Sequence, residues 1–133
     1  MESLLPLLLL ISLTSVIGLL LRAKKGVIKK GTRVKISEGE FGGKYGSRLT
    51  ILQFSTTFCS ECRTAKAIVK DVVKDLKDIA YIDVDAESNL DLVRRVDIRS
   101  TPTTIFLDSK GFEIARAKGA PKRDQLIKAI KVI

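Results

Sequence analysis

A long uncharged run near the N-terminus limits what this chain can fold into. Residues 3–21 contain no charged side chain, and ten of these 19 residues are leucine. A helix rises about 1.5 Å per residue, so the run is about 28 Å long, close to the hydrocarbon thickness of a bilayer. We therefore predict that residues 1–22 form one N-terminal transmembrane anchor.

The same run is compatible with either an uncleaved anchor or a cleaved signal peptide. A signal peptide has a basic segment before its apolar core and a small-x-small cleavage site after it. Met1-Glu2 offers no basic side chain, and Leu21-Arg22-Ala23 is a poor cleavage site. We favour the anchor and keep the signal peptide as the alternative.

The flanking charges predict an orientation for the anchor. Residues 22–30 hold five positive charges, whereas no basic side chain precedes the span. Because Lys and Arg near a span tend to stay on the cytoplasmic side, we expect the soluble part inside the cell. The folding of the domain after a single span can override this rule, so an extracytoplasmic domain is the alternative. The same charges also attract anionic lipid.

Composition excludes several classes of chemistry. The chain has no histidine and only two cysteines. A Ser-His or Cys-His nucleophile pair, an imidazole base and a His-containing zinc site are therefore excluded. Two cysteines cannot close a four-thiolate metal site within one chain. The chemistry that remains is that of thiols, carboxylates and the backbone.

The positive charge does not indicate nucleic acid binding. Of the net charge of +9, residues 1–30 contribute four, and the rest of the chain carries +5. The lysines of the longest amphipathic segment, Lys66, Lys70, Lys74 and Lys77, are the solvated face of one helix. Aromatic residues, which stack on bases, are few. We expect no nucleic acid partner.

Periodicity after the basic run predicts an α/β domain with a mixed sheet flanked by helices. Residues 23–48 are assigned to a basic linker and a glycine-rich loop, and residues 49–133 to the folded domain. The predicted strands are 33–36 (short), 49–55, 79–85, 103–107 and 112–117. The predicted helices are 59–78, 89–96 capped by Ser88, and a last one from Pro121 to Ile133. Strands separated by helices predict a parallel half, and the terminal hairpin an antiparallel half.

The candidate reactive residues are Cys59 and Cys62, in the sequence Cys59-Ser60-Glu61-Cys62. They follow a strand after three residues and open a long helix. The unpaired N–H groups and the dipole at a helix N-terminus favour thiolate over thiol. Spacing of i, i+3 brings the sulfurs within bridging reach, so one can attack a disulfide and the other resolve the mixed disulfide. We assign attack to Cys59 and resolution to the more buried Cys62.

Three other interpretations of this pair stay open. In the first, the pair is half of a metal site that a second chain completes. In the second, it is a structural disulfide, although a bridge over four residues stabilises little. In the third, both are ordinary buried thiols in a domain without activity. The redox interpretation accounts best for their position.

Residues 49–133 resemble a thioredoxin-family domain. The matching segments are LTILQFSTTFCSEC, AYIDVDAESNLDLVRRVDIRSTPTTIFLD and GFEIARAKGAPKRDQLIKAI. The resemblance implies a thioredoxin-like fold and a cis peptide bond before Pro102, beside the dithiol. It also implies that the backbone of Thr101 pairs with an extended substrate, that Gly119 allows close approach, and that Phe58 helps shape the groove. The alternatives are that Pro102 is an ordinary trans proline in a turn or at a strand start and that Gly119 is a turn glycine. Because Cys59 and Cys62 lie upstream, we favour the cis proline.

The sequence departs from the family pattern near the cysteines. Ser60-Glu61 replaces the usual Gly-Pro pair, and Phe58 replaces the usual tryptophan. The family's buried aspartate is here Gln53, and the lysine often paired with it is Tyr81. The usual base that assists the resolving thiol is therefore missing. Glu61 is the nearest substitute, and we expect it to be solvated.

The resemblance implies a small membrane-anchored protein of the bacterial inner membrane, crossing it once. We expect a thiol–disulfide oxidoreductase, acting as a reductase on protein disulfides at the inner face. It would use no metal or organic cofactor and receive electrons from a reductase or dithiol protein, with lipid contacted through the N-terminal helix. The alternatives are an extracytoplasmic thiol-redox or cytochrome-maturation protein, and a redox-inactive binding module with the same fold.

Overall fold

The computed structural model describes residues 4–133, which begin with a helix that is apolar on every side. This helix, α1, covers Leu4–Lys24, and none of its residues is buried in the protein. It is the one helix among residues 4–133 that is long and apolar enough to cross a membrane, a property that signal sequences share. The predicted N-terminal helix is present, and it continues two residues past the predicted end.

The remaining chain folds around a five-stranded sheet. The strands are β1 (Ile28–Lys30), β2 (Leu49–Ser55), β3 (Ile79–Asp85), β4 (Thr103–Leu107) and β5 (Glu113–Lys118), in the spatial order β1-β5-β4-β2-β3. Strands β2 and β3 are parallel, and the other three pairs are antiparallel. The predicted mixed sheet is confirmed. The helices after α1 are α2 (Glu38–Phe41), α3 (Ser60–Val73), α4 (Leu90–Arg95) and α5 (Arg123–Val132).

Alternation along the strands gives the sheet two apolar faces. In β2, Leu52 and Phe54 point to one face, where they pack with Phe41 of α2 and Leu92 of α4. Leu49 and Ile51 point to the other, where residues of α3 and α5 cover them, among them Val69 and Leu126. Since successive side chains of a strand lie on opposite faces, Gln53 shares the α3 face with Ile51.

The predicted short strand at residues 33–36 is wrong. Arg33 has a φ of 60°, which breaks an extended segment, and only Lys35 forms an isolated bridge, to Phe112. The strand lies earlier, at Ile28–Lys30, where Ile28 pairs with Ala117 of β5. The sheet therefore includes residues that we assigned to the linker.

The predicted glycine-rich loop contains a helical turn, α2. The N–H of Ser37 donates to Glu40 Oε2 at 2.7 Å, which holds the start of this turn. Ile36, shortly before this turn, and Phe41, its last residue, are buried in the core. Apolar anchors at both ends thus fix a segment whose glycines indicated an open loop.

Several helix and strand boundaries also differ from the prediction. Helix α3 ends at Val73, and Leu76 reaches the core from the turn that follows, so its periodic spacing reflected burial rather than helix. The N-cap position of α4 is Asn89, whose side chain makes no capping hydrogen bond, and the predicted cap Ser88 instead donates its hydroxyl to Asp85 Oδ2 at 2.6 Å. Strand β5 begins at Glu113, one residue late, and α5 begins at Arg123 rather than Pro121.

Candidate active site

The two cysteines lie at the start of α3, as their sequence context predicts. Cys59 is the N-cap residue in an extended conformation, and its Sγ accepts a hydrogen bond from the Cys62 N–H at 3.1 Å. The two are joined by a disulfide with Cα atoms 5.1 Å apart. Cys62 is 4% exposed, whereas Cys59 is partly open to solvent. A reagent in solution therefore reaches Cys59 more easily than Cys62.

The polar contact beneath the dithiol is a glutamine–tyrosine pair. Gln53 is fully buried, and its Nε2 donates to the carbonyl of Cys62 at 2.9 Å and to Ser55 Oγ at 3.0 Å. Its Oε1 accepts from the Tyr81 hydroxyl at 2.9 Å. Burial, with a smaller contribution from the charge of Asp83, raises the pKa of Tyr81 well above its usual range. This pair therefore stays neutral at physiological pH, where the family pattern has a charged pair.

The segment Thr101-Pro102 lies beside the dithiol, and the bond between them is cis. Thr101 Oγ1 is 4.0 Å from Cys59 Sγ and 3.4 Å from Thr56 Oγ1. The carbonyl of Pro102, a buried residue, accepts the N–H of Gly119 at 2.8 Å. Gly119 has a φ of 83°, which favours glycine. The structure thus brings the cysteines, Thr101, Pro102 and Gly119 together.

Phe58 differs from the other predicted site residues. Its side chain is 100% exposed, so it packs against no groove wall in this conformation. Its position directly before Cys59 leaves the aromatic ring at the edge of the site. An exposed ring there is free to contact a bound polypeptide.

A cavity of about 250 Å³ opens next to Thr101 and Gly119. Its lining is shared between the site and the end of α1; the residues are Leu21, Lys24, Lys25, Glu61, Ser100, Thr101, Lys118 and Gly119. Glu61 is exposed as expected, and its Oε1 lies 3.4 Å from Lys25 Nζ. The contribution of Lys24 and Lys25 was not predicted from the sequence. Had the first strand been placed at Ile28–Lys30, the short connection from α1 to the sheet would have indicated that Lys24 and Lys25 lie near the site.

The geometry supports thiol chemistry at Cys59. A thiolate at an N-cap accepts the N–H of the first turn and lies at the positive end of the helix dipole. The lysines around the cavity add positive charge, which Glu61 partly offsets. Cys62 is held within bonding distance on the buried side. The arrangement suits reversible formation of the disulfide seen here.

Comparisons with known proteins agree with this site. The family model described as Thioredoxin matches residues 34–132. Thioredoxin H5 of Oryza sativa subsp. japonica is 31% identical over 77 residues, covering 58% of this chain and 56% of that protein. The thioredoxin of Ophiophagus hannah is 28% identical over 86 residues, covering 65% and 80%. The solved structure of a malaria parasite thioredoxin-2 matches with a TM-score of 0.59 at 28% identity, covering 65% of this chain and 84% of that one.

Proposed function

The chain is a thiol–disulfide oxidoreductase of the thioredoxin family, and we propose that α1 holds it at a membrane, where it reduces disulfides of other proteins. One observation carries the proposal. A partly exposed Cys59 at a helix N-terminus is paired with a buried Cys62 and lies beside the Thr101-Pro102 segment. These are the parts that a disulfide-exchange cycle requires.

The reaction begins with the reduced dithiol. The Cys59 thiolate attacks one sulfur of the substrate disulfide, so a mixed disulfide forms and one substrate thiolate leaves. The Cys62 thiol then loses its proton and attacks Cys59 Sγ, which breaks the mixed disulfide and releases the second substrate thiol. The substrate gains two electrons, and the Cys59–Cys62 disulfide forms. A partner reductase or dithiol protein returns the two electrons.

The residues around the dithiol position the substrate. The backbone of Thr101 pairs with an extended substrate segment, and Gly119 and Pro102 let that segment approach Cys59. Phe58 contacts the substrate from the exposed side. Gln53 holds the carbonyl of Cys62 in place, but it cannot take up the Cys62 proton as a carboxylate would. That proton therefore passes to the departing substrate thiolate or to water.

Trapping of the intermediate tests this mechanism. Full-length Cys62→Ser protein, reduced and reconstituted in nanodiscs, should form a stable mixed disulfide with a denatured disulfide-bonded protein such as insulin. The matched Cys59→Ser protein should trap much less. Wild-type protein should reduce insulin with dithiothreitol as electron source. If wild type is inactive and neither variant traps insulin, the chain is a redox-inactive binding module instead.

We also propose that the folded domain faces the cytoplasm. Arg22 and Lys24 in the last turn of α1, with Lys25 after it, support this orientation by the positive-inside rule. A membrane-impermeant maleimide added to intact cells under reducing conditions should leave Cys59 unlabelled until the cells are opened. Labelling in intact cells would place the domain outside and favour the extracytoplasmic alternative.

A further inference from the structure

The connection between α1 and the sheet is too short to let the domain move away from the helix. Only Lys25, Gly26 and Val27 separate α1 from β1. Even fully extended, three residues span about 10 Å. The domain must therefore lie directly at the end of α1.

This connection is also fixed to the segment that forms one side of the site. The N–H of Gly26 donates to the carbonyl of Lys118 at 2.7 Å. Gly26 is buried with a φ of 73°, and a Cβ at this position would lie 2.1 Å from the carbonyl oxygen of Ala120. Lys118 and Ala120 flank Gly119, whose N–H binds Pro102. A continuous set of backbone contacts thus joins the end of α1 to the cis-proline segment.

The end of α1 forms a wall of the substrate site itself. Leu21, the last residue of the uncharged run, lines the same cavity as Thr101 and Gly119. Thr101 in turn contacts Cys59 Sγ at 4.0 Å. If α1 spans a membrane, Leu21 marks the edge of the hydrocarbon layer, because charged residues follow it directly. Cys59 is then separated from the bilayer surface by little more than this one cavity.

From this placement, and resting on the proposed function, we infer the substrate class. The enzyme acts on disulfides of integral membrane proteins whose cysteines lie within a few residues of their own transmembrane segment. Such a segment reaches the cavity along the bilayer surface. When the disulfide lies far from the membrane on a folded protein, the body of that protein collides with the bilayer before the disulfide reaches Cys59. Proximity also raises the effective concentration of a substrate confined to the same membrane.

The test compares two substrates in the same nanodiscs as the full-length enzyme. Each is a transmembrane peptide with one intramolecular disulfide loop, placed two residues after the span in the first and after a flexible 20-residue spacer in the second. Oxidised glutathione serves as a soluble substrate that does not depend on the membrane. We expect the near disulfide to be reduced at least about ten-fold faster than the far one.

A tether variant tests whether the short connection causes this preference. Six Gly/Ser residues inserted between Lys24 and Lys25 leave the Gly26 contacts intact and add up to about 20 Å of reach. This variant should reduce both peptides at similar rates. The same six residues added after Ile133 are the matched control and should leave the preference unchanged.

The outcomes separate the two proposals. Equal rates for the near and far disulfides in the wild type, or a preference kept by the tether variant, would overturn the substrate inference and leave the oxidoreductase function standing. If the enzyme reduces none of the three substrates, oxidised glutathione included, both the proposed function and the substrate inference are overturned.

Discussion

Removal of the Tyr81 hydroxyl should destabilise the domain through Gln53. In the structure this hydroxyl donates to Gln53 Oε1 at 2.9 Å, and Gln53 is fully buried. Tyr81→Phe therefore leaves a buried amide oxygen without a donor. An unsatisfied buried group of this kind costs about 1–3 kcal/mol. We expect the free energy of unfolding to fall by that amount.

The measurement is urea unfolding of the oxidised full-length chain in detergent micelles, followed by far-UV circular dichroism. Gln53→Met provides the matched background, because it keeps similar volume and removes the acceptor. In that background Tyr81→Phe should cost much less, since the hydroxyl of Tyr81, a half-buried residue, has already lost its Gln53 acceptor. Equal costs of Tyr81→Phe in the two backgrounds would refute the reasoning, because the two side chains would then not be coupled.

Three further predictions concern pH, charge and backbone conformation. The pKa of Tyr81 is raised on folding, so its contribution to stability is present below about pH 10 and is lost as the pH rises above that value. Wild type should thus lose stability between pH 10 and 12 more steeply than Tyr81→Phe, and parallel curves would contradict this. Glu61→Gln removes the carboxylate two residues after Cys59, so reduced Cys59 should react faster with iodoacetamide at pH 7, by less than about five-fold because exposed charges interact weakly. An unchanged or slower reaction would show that Glu61 does not act on the thiol. Gly26→Ala forces a Cβ toward the carbonyl of Ala120 at positive φ, and it should lower the free energy of unfolding by more than about 1 kcal/mol. A variant as stable as wild type in urea would mean that this contact does not hold the connection.

The central strands could be predicted because each is a short run of mostly apolar residues, as expected for a buried strand. Strands β2, β3 and β4 begin and end where the apolar runs predict. Strand β1 could not be predicted in this way, because two of its three residues are Lys29 and Lys30, which belong to the basic run after α1. It is an edge strand whose lysines face solvent, and an exposed edge needs little apolar sequence.

The site was predictable in its residues but not in its contacts. The sequence indicated that Gln53 and Tyr81 replace a charged pair, yet not that they bind each other. That contact depends on the register of β2 and β3, in which Tyr81 lies opposite Ile51. Gln53 is two residues further along β2, on the same face, and so within diagonal reach of Tyr81. Similarly, the contact between the end of α1 and the site follows from the pairing of β1 with β5, which joins segments about 90 residues apart.

The most direct test of a reductase is the reduction potential of the Cys59–Cys62 pair. The full-length chain in nanodiscs is equilibrated with glutathione buffers of defined ratio, and the reduced fraction is counted by alkylation and mass spectrometry. We predict a reduction potential of about −270 mV, in the range of reducing thioredoxins. A potential near about −120 mV, the range of strong oxidants, would contradict a reducing role and would favour a disulfide-forming role outside the cytoplasm.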